Sequence, residues 1–408
     1  MNAKISRKDL EKWADFILNH SLGGIKPGDV VLVKGEHIAW PLMSLLQDKI
    51  FAAGAIADIN MVAPDNDRGR VWGASIVKFG TGEQIRQVPE WHRLRYETMN
   101  KYIEILGAED PSLFANLPDK TAGALIRADE PFKTIRLSKP WVLTLFPTEA
   151  FADIEGMTLD QYTDIIVKAS TTDHKVLAEI EEPLGQLMEK SKMVRIQTRH
   201  PVTGRHLELR MNIANRIAIR SIGECNFPDG EVYTSPDANS VNGEVYFDLP
   251  IFNGGVTIQG VYLKIQNGII TDYKAEKEHE TLKLIIETDD GSHRIGEVAF
   301  GMNSGLQVAL KHPLFIEKVG GTIHIAIGNS CPECYVKAPS LEESKLLLEE
   351  YFKKGILNRS SQHLDIPIDF RSGGVGQAVY LDNIRIGIKE NTWQLPDIRG
   401  KNVHCFIF

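Results

Sequence analysis

The stretch Leu10–Lys34, LEKWADFILNHSLGGIKPGDVVLVK, carries the reading that decides the fold. Leu10, Trp13, Ala14, Ile17 and Leu18 recur at i, i+3, i+4, i+7 and i+8, the spacing of one buried helix face. Gly23-Gly24 and Pro27-Gly28 stop that helix. DVVLVK, Asp29 to Lys34, then reads as a short apolar strand. A second helix is expected from about Leu42 to Ala53 and a second strand from about Ala55 to Val62. Alternation of this kind predicts an α/β domain with a mostly parallel sheet. Further along, Trp91 to Leu106 reads as helix and WVLTLFPT, Trp141 to Thr148, as a buried strand ended by proline. Leu159–Ala169 and Val176–Lys192 read as helices, the first with Tyr162, Ile165 and Ile166 inward.

Beyond about residue 192 strands dominate: MVRIQT, HLELRMN, EVYFDLP and VTIQGVYLKIQ. The last is followed by Asn267-Gly268 and IITDY, a hairpin signal because both turn residues tolerate positive φ. The boundary is placed near Ser191. It leaves an N-terminal α/β domain, 1–191, and a strand-rich α+β C-terminal domain, 192–408. For 408 residues two domains are the natural expectation.

Composition removes several function classes. Hydrophobic residues make up 43% and charged residues 25% of the chain, as in an ordinary globular protein. A net charge of -8 argues against a nucleic-acid partner. The four cysteines, Cys225, Cys331, Cys334 and Cys405, are too few for a disulfide framework. No signal-type apolar segment opens the sequence and no run of about 18 apolar residues occurs, so no membrane span is expected. Cytoplasm is the expected compartment. There is no P-loop and no GxSxG. The glycine-rich GGVGQAV, Gly373 to Val379, lacks the GxGxxG order.

Seven residues could carry chemistry. His363 and Asp365, in QHLDIPIDF, sit at i and i+2 of an extended segment and so share a face. An imidazole beside a carboxylate suits a divalent metal, or forms a hydrogen-bonded pair with no ion. His324, in GGTIHIAIGNS, lies on the face opposite Ile323, Ile325 and Ile327, as a ligand or as a hydrogen-bonded structural histidine. Glu231 begins EVYTSP after the turn Pro228-Asp229-Gly230, and Glu297 sits inside RIGEVAFG. A carboxylate in an apolar strand needs an ion-pair partner or a cation. Cys331-Pro332-Glu333-Cys334 is a CxxC without a second pair, which leaves either unpaired thiols or an activated thiolate.

In order and setting these signals resemble the aminopeptidase T and aminopeptidase S-type family of metallopeptidases. LEKWADFILNHSLGGIKPGDVVLV, FAAGAIADINMV and WVLTLFPTEAFA carry the likeness in the first half. NFPDGEVYTSP, GEVAF, TIHIAIG and HLD carry it in the second. The resemblance implies Glu231, Glu297, His324, His363 and Asp365 as ligands of two divalent ions (Zn, Co or Mn). They would lie in the C-terminal domain, facing a cleft shared with the N-terminal one. It also implies removal of N-terminal residues from peptides with a free N-terminus, and a homodimer. The departures are Gly230, where the family has a second glutamate, and GMNSG, with Asn303, where it has a proline-histidine-serine run. The family's tyrosine falls nearest Cys331, with Tyr335 close by. Glu231 and Tyr335 are therefore the residues expected to assist catalysis. Two other readings stay open. His324, His363 and Asp365 also make the two-His-one-carboxylate set of a mononuclear Fe(II) ring-cleaving dioxygenase, a class that shares the superfamily. The chain could also be a family member that has lost catalysis.

Overall fold

The computed structural model describes residues 4–62, 79–111, 128, 131–253, 255–336 and 341–395. It divides into two compact units. The first comprises 1–171 with 223–228 and 254–256, and the second comprises 172–222, 229–253 and 257–408. Among the described residues no helix is long and apolar enough to cross a membrane.

The first unit is built on a parallel sheet in the order Ile56–Val62, Val30–Glu36, Lys101–Leu106, Trp141–Leu145, Asn226–Phe227. The Val30–Glu36 strand is buried along nearly its whole length, as expected where both sheet faces are covered. The helix Arg7–Phe16 begins at Ser6, whose hydroxyl accepts from the Asp9 N–H, and buries Leu10, Trp13 and Ala14. Its face continues through a wider turn over Ile17–Ser21.

The expected helix Trp91–Leu106 is corrected by the structure. The helix is Glu90–Thr98, and Lys101–Leu106 is a central strand. Asn100 makes the break, because its N–H donates to Val30 O and its side chain accepts from Val30 N–H, both at 2.7 Å. KYIEIL then pairs with both neighbouring strands, whose ladder outweighs the helical spacing.

This sheet carries a buried ion cluster. Lys34 Nζ lies 3.2 Å and Arg136 Nη1 2.6 Å from the Glu104 carboxylate. Burial alone would raise the Glu104 carboxyl, but the two cations outweigh it and hold it below the usual range.

The second unit contains two sheets. One runs Ile251–Asn253, Val256–Gln266, Asn242–Phe247, His206–Asn212, Met193–Arg199, Gly376–Leu381, Ile384–Lys389, Thr392–Gln394, with Ile269–Lys277 paired to Val256–Gln266. The turn between those two strands is Asn267-Gly268, both at positive φ. The other sheet is antiparallel, in the order His363–Asp369, Thr322–Gly328, Ile295–Gly301, Glu231–Thr234, Ile219–Ser221. The inner faces of both sheets and Leu184, Leu187 and Met188 of the helix His174–Lys190 form one continuous core.

His92 in the first unit yields a prediction. It is 3% exposed, its Nε2 has no hydrogen-bond partner, and its ring packs on Tyr96 and Phe132. Burial, with Lys34 and Arg95 nearby, holds its pKa down to about 4. The unfolded chain takes up that proton near pH 6.5, so the contribution is intact above about 6.5 and is lost as pH falls toward 4. Denaturant unfolding from pH 7 to 4 should cost the wild type up to about 2 kcal/mol more than a His92→Phe variant. Parallel loss in both proteins would refute the assignment.

Candidate metal centre

The second unit's smaller sheet has two chemically opposite faces. Val298, Phe300, Ile323, Ile325, Ile327, Leu364, Ile366 and Ile368 point into the core. The intervening residues, Glu231, Tyr233, Glu297, Ala299, His324, Ala326, His363 and Asp365, share the other face, as the period of two requires. A bulge between Ile295 and Glu297 makes this possible. With strict alternation Glu297 would follow Ile295 into the core; the extra residue, Gly296, turns it to the polar face.

Register then spaces the polar groups. Glu231 lies opposite Gly301, Glu297 opposite Ala326, and His324 opposite Ala299 and Pro367. Asp365 lies opposite Ala326, and His363 opposite Gly328. Each candidate ligand thus has a small residue or proline across the ladder, which leaves room for the side chains to lean together.

They do converge. His324 Nε2 is 3.4 Å from Glu297 Oε1, 3.5 Å from Glu231 Oε2 and 3.8 Å from Asp365 Oδ1. His363 Nε2 is 3.4 Å from Glu297 Oε2 and 3.5 Å from Asp365 Oδ1. Glu297 therefore offers one oxygen to each imidazole. His363 Nδ1 lies 3.0 Å from Asn329 O, so the Nδ1–H donates there and Nε2 is left for a cation. His324 Nδ1 has no hydrogen-bond partner.

Electrostatics bind these groups into one system. Burial would raise the Glu297 carboxyl, but hydrogen bonds and charge from His324 and His363 hold it well below the carboxylate range. Asp365 is lowered against burial by His363 and His324. Burial would lower His324, but the surrounding carboxylates push it up to about 9, and His363 is raised in the same way. A cation entering the cluster must displace those protons. The donor set fits a divalent metal, with two imidazole nitrogens and three carboxylates. Glu231 Oε2 and Asp365 Oδ1 accept no hydrogen bond although both are buried and face the imidazoles.

Other expected residues lie elsewhere. Tyr335 is not brought to the cluster: its hydroxyl donates to Pro236 O at 2.9 Å, and its ring packs with Cys334 and Leu357. Gly230 has φ +132°, and a Cβ there would lie 2.8 Å from Asn303 Cβ. Asn303, fully buried, donates to Asp229 O and accepts from the Gly305 N–H. These two departures thus form one packed joint with no room for a second glutamate. Cys331 and Cys334 are not disulfide-bonded, and Cys405 lies outside the described residues.

Three participants escaped the sequence reading. Lys318, 1% exposed at its side chain, places Nζ 2.5 Å from Glu231 Oε1 and 3.1 Å from Glu317 Oε2. Burial would lower it, but Glu231, Glu317 and Asp229 keep it charged. Burial pushes the Glu317 carboxyl up to about 8 despite Lys318, with Asp365 and Glu231 adding to the rise. Tyr233, two residues after Glu231, donates to Glu333 Oε1 at 2.8 Å. Its position at i+2 was the one available signal; Glu317 and Lys318 lie outside any strand pattern.

The comparisons with known proteins point one way. A family model described as thermophilic metalloprotease (M29) matches residues 6–375. Aminopeptidase PepS of Streptococcus thermophilus is 23% identical over 94% of this chain and 97% of its own length. Aminopeptidase AmpS of Bacillus subtilis is 36% identical over 147 residues, so the chain spans about a third (34%) of that relative's length. Among solved structures, AmpT from Thermus thermophilus superposes with a TM-score of 0.74 at 20% identity, over 95% of this chain and 99% of that one. The 2,5-dihydroxypyridine dioxygenase from Pseudomonas putida KT2440 shares the fold more distantly, at a TM-score of 0.54 and 13% identity over 95% and 98% of the two chains. Because the family match runs from the first helix through the His363 strand, the chain belongs to the thermophilic metalloprotease (M29) family.

Proposed function

We propose that this protein is a metal-dependent aminopeptidase in which Glu231, Glu297, His324, His363 and Asp365 hold two divalent ions, zinc, cobalt or manganese. The observation that carries the reading is Glu297, whose two oxygens face different imidazoles and divide the donors into two sets. One set is Glu231, Glu297 and His324, and the other is built on Glu297 and His363. Asp365 Oδ1 lies between the two imidazoles. When bound, paired divalent ions supply an activated water and polarise the scissile carbonyl.

The chain's own residues do the rest. Lys318 occupies Glu231 Oε1 and so aims Oε2 at the centre. The Asn329 carbonyl fixes the His363 ring. Glu317, 3.1 Å from Lys318 Nζ, shares that ammonium with Glu231. The substrate is a peptide with a free N-terminus. A homodimer and a cytoplasmic location belong to the same proposal, and sedimentation at twice the 45.6 kDa chain mass would support the former.

A second reading rests on Asp365 Oδ1, within 3.8 Å of both imidazole Nε2 atoms, which is the two-His-one-carboxylate set of an Fe(II) dioxygenase. Glu231 and Glu297 in the same cluster favour the peptidase. Oxygen uptake on a hydroxylated pyridine after anaerobic iron loading would favour the dioxygenase.

Chelation should abolish hydrolysis of amino-acid arylamides, and zinc, cobalt or manganese should restore it. Glu297→Gln should reduce metal affinity by more than the ~10–100-fold typical of losing an outer-shell partner. Parent-rate hydrolysis by that variant would count against the two-ion centre. A second expectation concerns the space opposite Glu297 and Asp365. Ala326→Val suits a strand and keeps every ligand, yet its methyls enter the gap between the two carboxylates. Metal titration should show affinity weakened about tenfold or more with far-ultraviolet circular dichroism unchanged. Unaltered affinity would show that the small residue is irrelevant to the site.

A further inference from the structure

Cys331 follows the His324 strand by three residues and opens the short turn Pro332–Cys334. Its N–H donates to Ser235 Oγ at 2.8 Å, which fixes the backbone. Its Sγ reaches Glu297 Oε2 at 2.8 Å, the same oxygen that lies 3.4 Å from His363 Nε2. Donor atoms of Glu297, Cys331 and His363 all fall within 4.8 Å of one another, and so do those of Glu231, Glu297 and His324. An independent pointer to an ion is Glu231 Oε2, which accepts no hydrogen bond on a side chain 8% exposed and faces His324.

We propose that Cys331 is itself a ligand, so that the two ion positions differ in chemistry. One takes only nitrogen and oxygen donors, from Glu231, Glu297 and His324. The other takes sulfur as well, from Glu297, His363 and Cys331, with Asp365 Oδ1 near the imidazoles of both sets, and prefers thiophilic divalent ions such as zinc, cobalt and cadmium. As the metal–sulfur bond forms, the S–H bond breaks and its proton leaves to solvent, so no oxidant or reductant is needed. Cys334 packs against Tyr335 and Leu357, contacts the Cys331 thiol, and is not one of the clustered donors. The inference rests on the metal reading above and adds a donor to it.

The test is optical. Full-length protein, stripped of metal under reducing conditions, is titrated with Co(II). The expected spectrum has d–d bands together with a near-ultraviolet sulfur-to-cobalt charge-transfer band. That band should vanish in Cys331→Ser and persist in Cys334→Ser. Cadmium affinity should fall more than tenfold in Cys331→Ser, with manganese affinity nearly unchanged. d–d bands without charge transfer in the wild type would overturn the sulfur ligand and leave the oxygen–nitrogen centre standing. Failure to bind cobalt at all would overturn both. Because the wild-type spectrum is decisive by itself, a Cys331→Ser protein that folds poorly does not remove the test.

Discussion

Three carboxylates, those of Glu231, Glu297 and Asp365, share one patch of sheet with two imidazoles, and the second unit is organised around that concentration of charge. An uncompensated buried carboxylate costs several kcal/mol. Here the compensation is layered. Lys318 neutralises part of Glu231, the imidazoles hold Glu297 and Asp365 ionised, and two oxygens are left facing the gap between them. The isoleucine-rich opposite face adds no neutralising charge. It fixes the strands instead, so the clustered side chains are positioned by a packed core and a hydrogen-bonded ladder rather than by loops.

A buried ammonium such as Lys318, 1% exposed at its side chain, is costly unless paired. It is tolerated because Asp229, Glu231 and Glu317 surround it. Its effect is to occupy Glu231 Oε1 and leave Oε2 toward His324. Behind it, Asn303 ties the Asp229 carbonyl to the turn at Gly305, closing the space a side chain at position 230 would need. The absence of a glutamate at Gly230 and the presence of asparagine at 303 are one structural solution.

The parts legible in the sequence were those governed by short periods. The alternation TIHIAIG places three isoleucines in the core and His324 opposite, and HLD places two polar groups on one face. Asn267-Gly268 announces its hairpin. Lys101–Leu106 misled because KYIEIL carries apolar residues at helical as well as strand spacing, and only its partners on both sides decide. Lys318 and Glu317 were illegible as neighbours of the cluster. They come from a connection whose course is set by tertiary packing, and a lysine or glutamate in such a segment reads as solvent-facing. Tyr335 was chosen by nearness along the chain to a family position, yet its hydroxyl is spent on Pro236.

The bulge at Gly296 shows how closely the centre depends on register. Ile295, Val298 and Phe300 all enter the core, a spacing of three and then two that no regular strand can produce. A side chain at 296 would meet the Asn329 carbonyl oxygen at 2.1 Å, so glycine is required where the chain takes its extra residue. Asn329 is also the residue whose carbonyl orients His363. The same backbone approach therefore turns Glu297 out of the core and brings up the group that fixes the second imidazole. Without the bulge, Glu297 would point among isoleucines, and the two donor sets would lose the one residue they share. The place of Glu297 among the clustered imidazoles and carboxylates is, in that sense, set by a single inserted residue with no side chain.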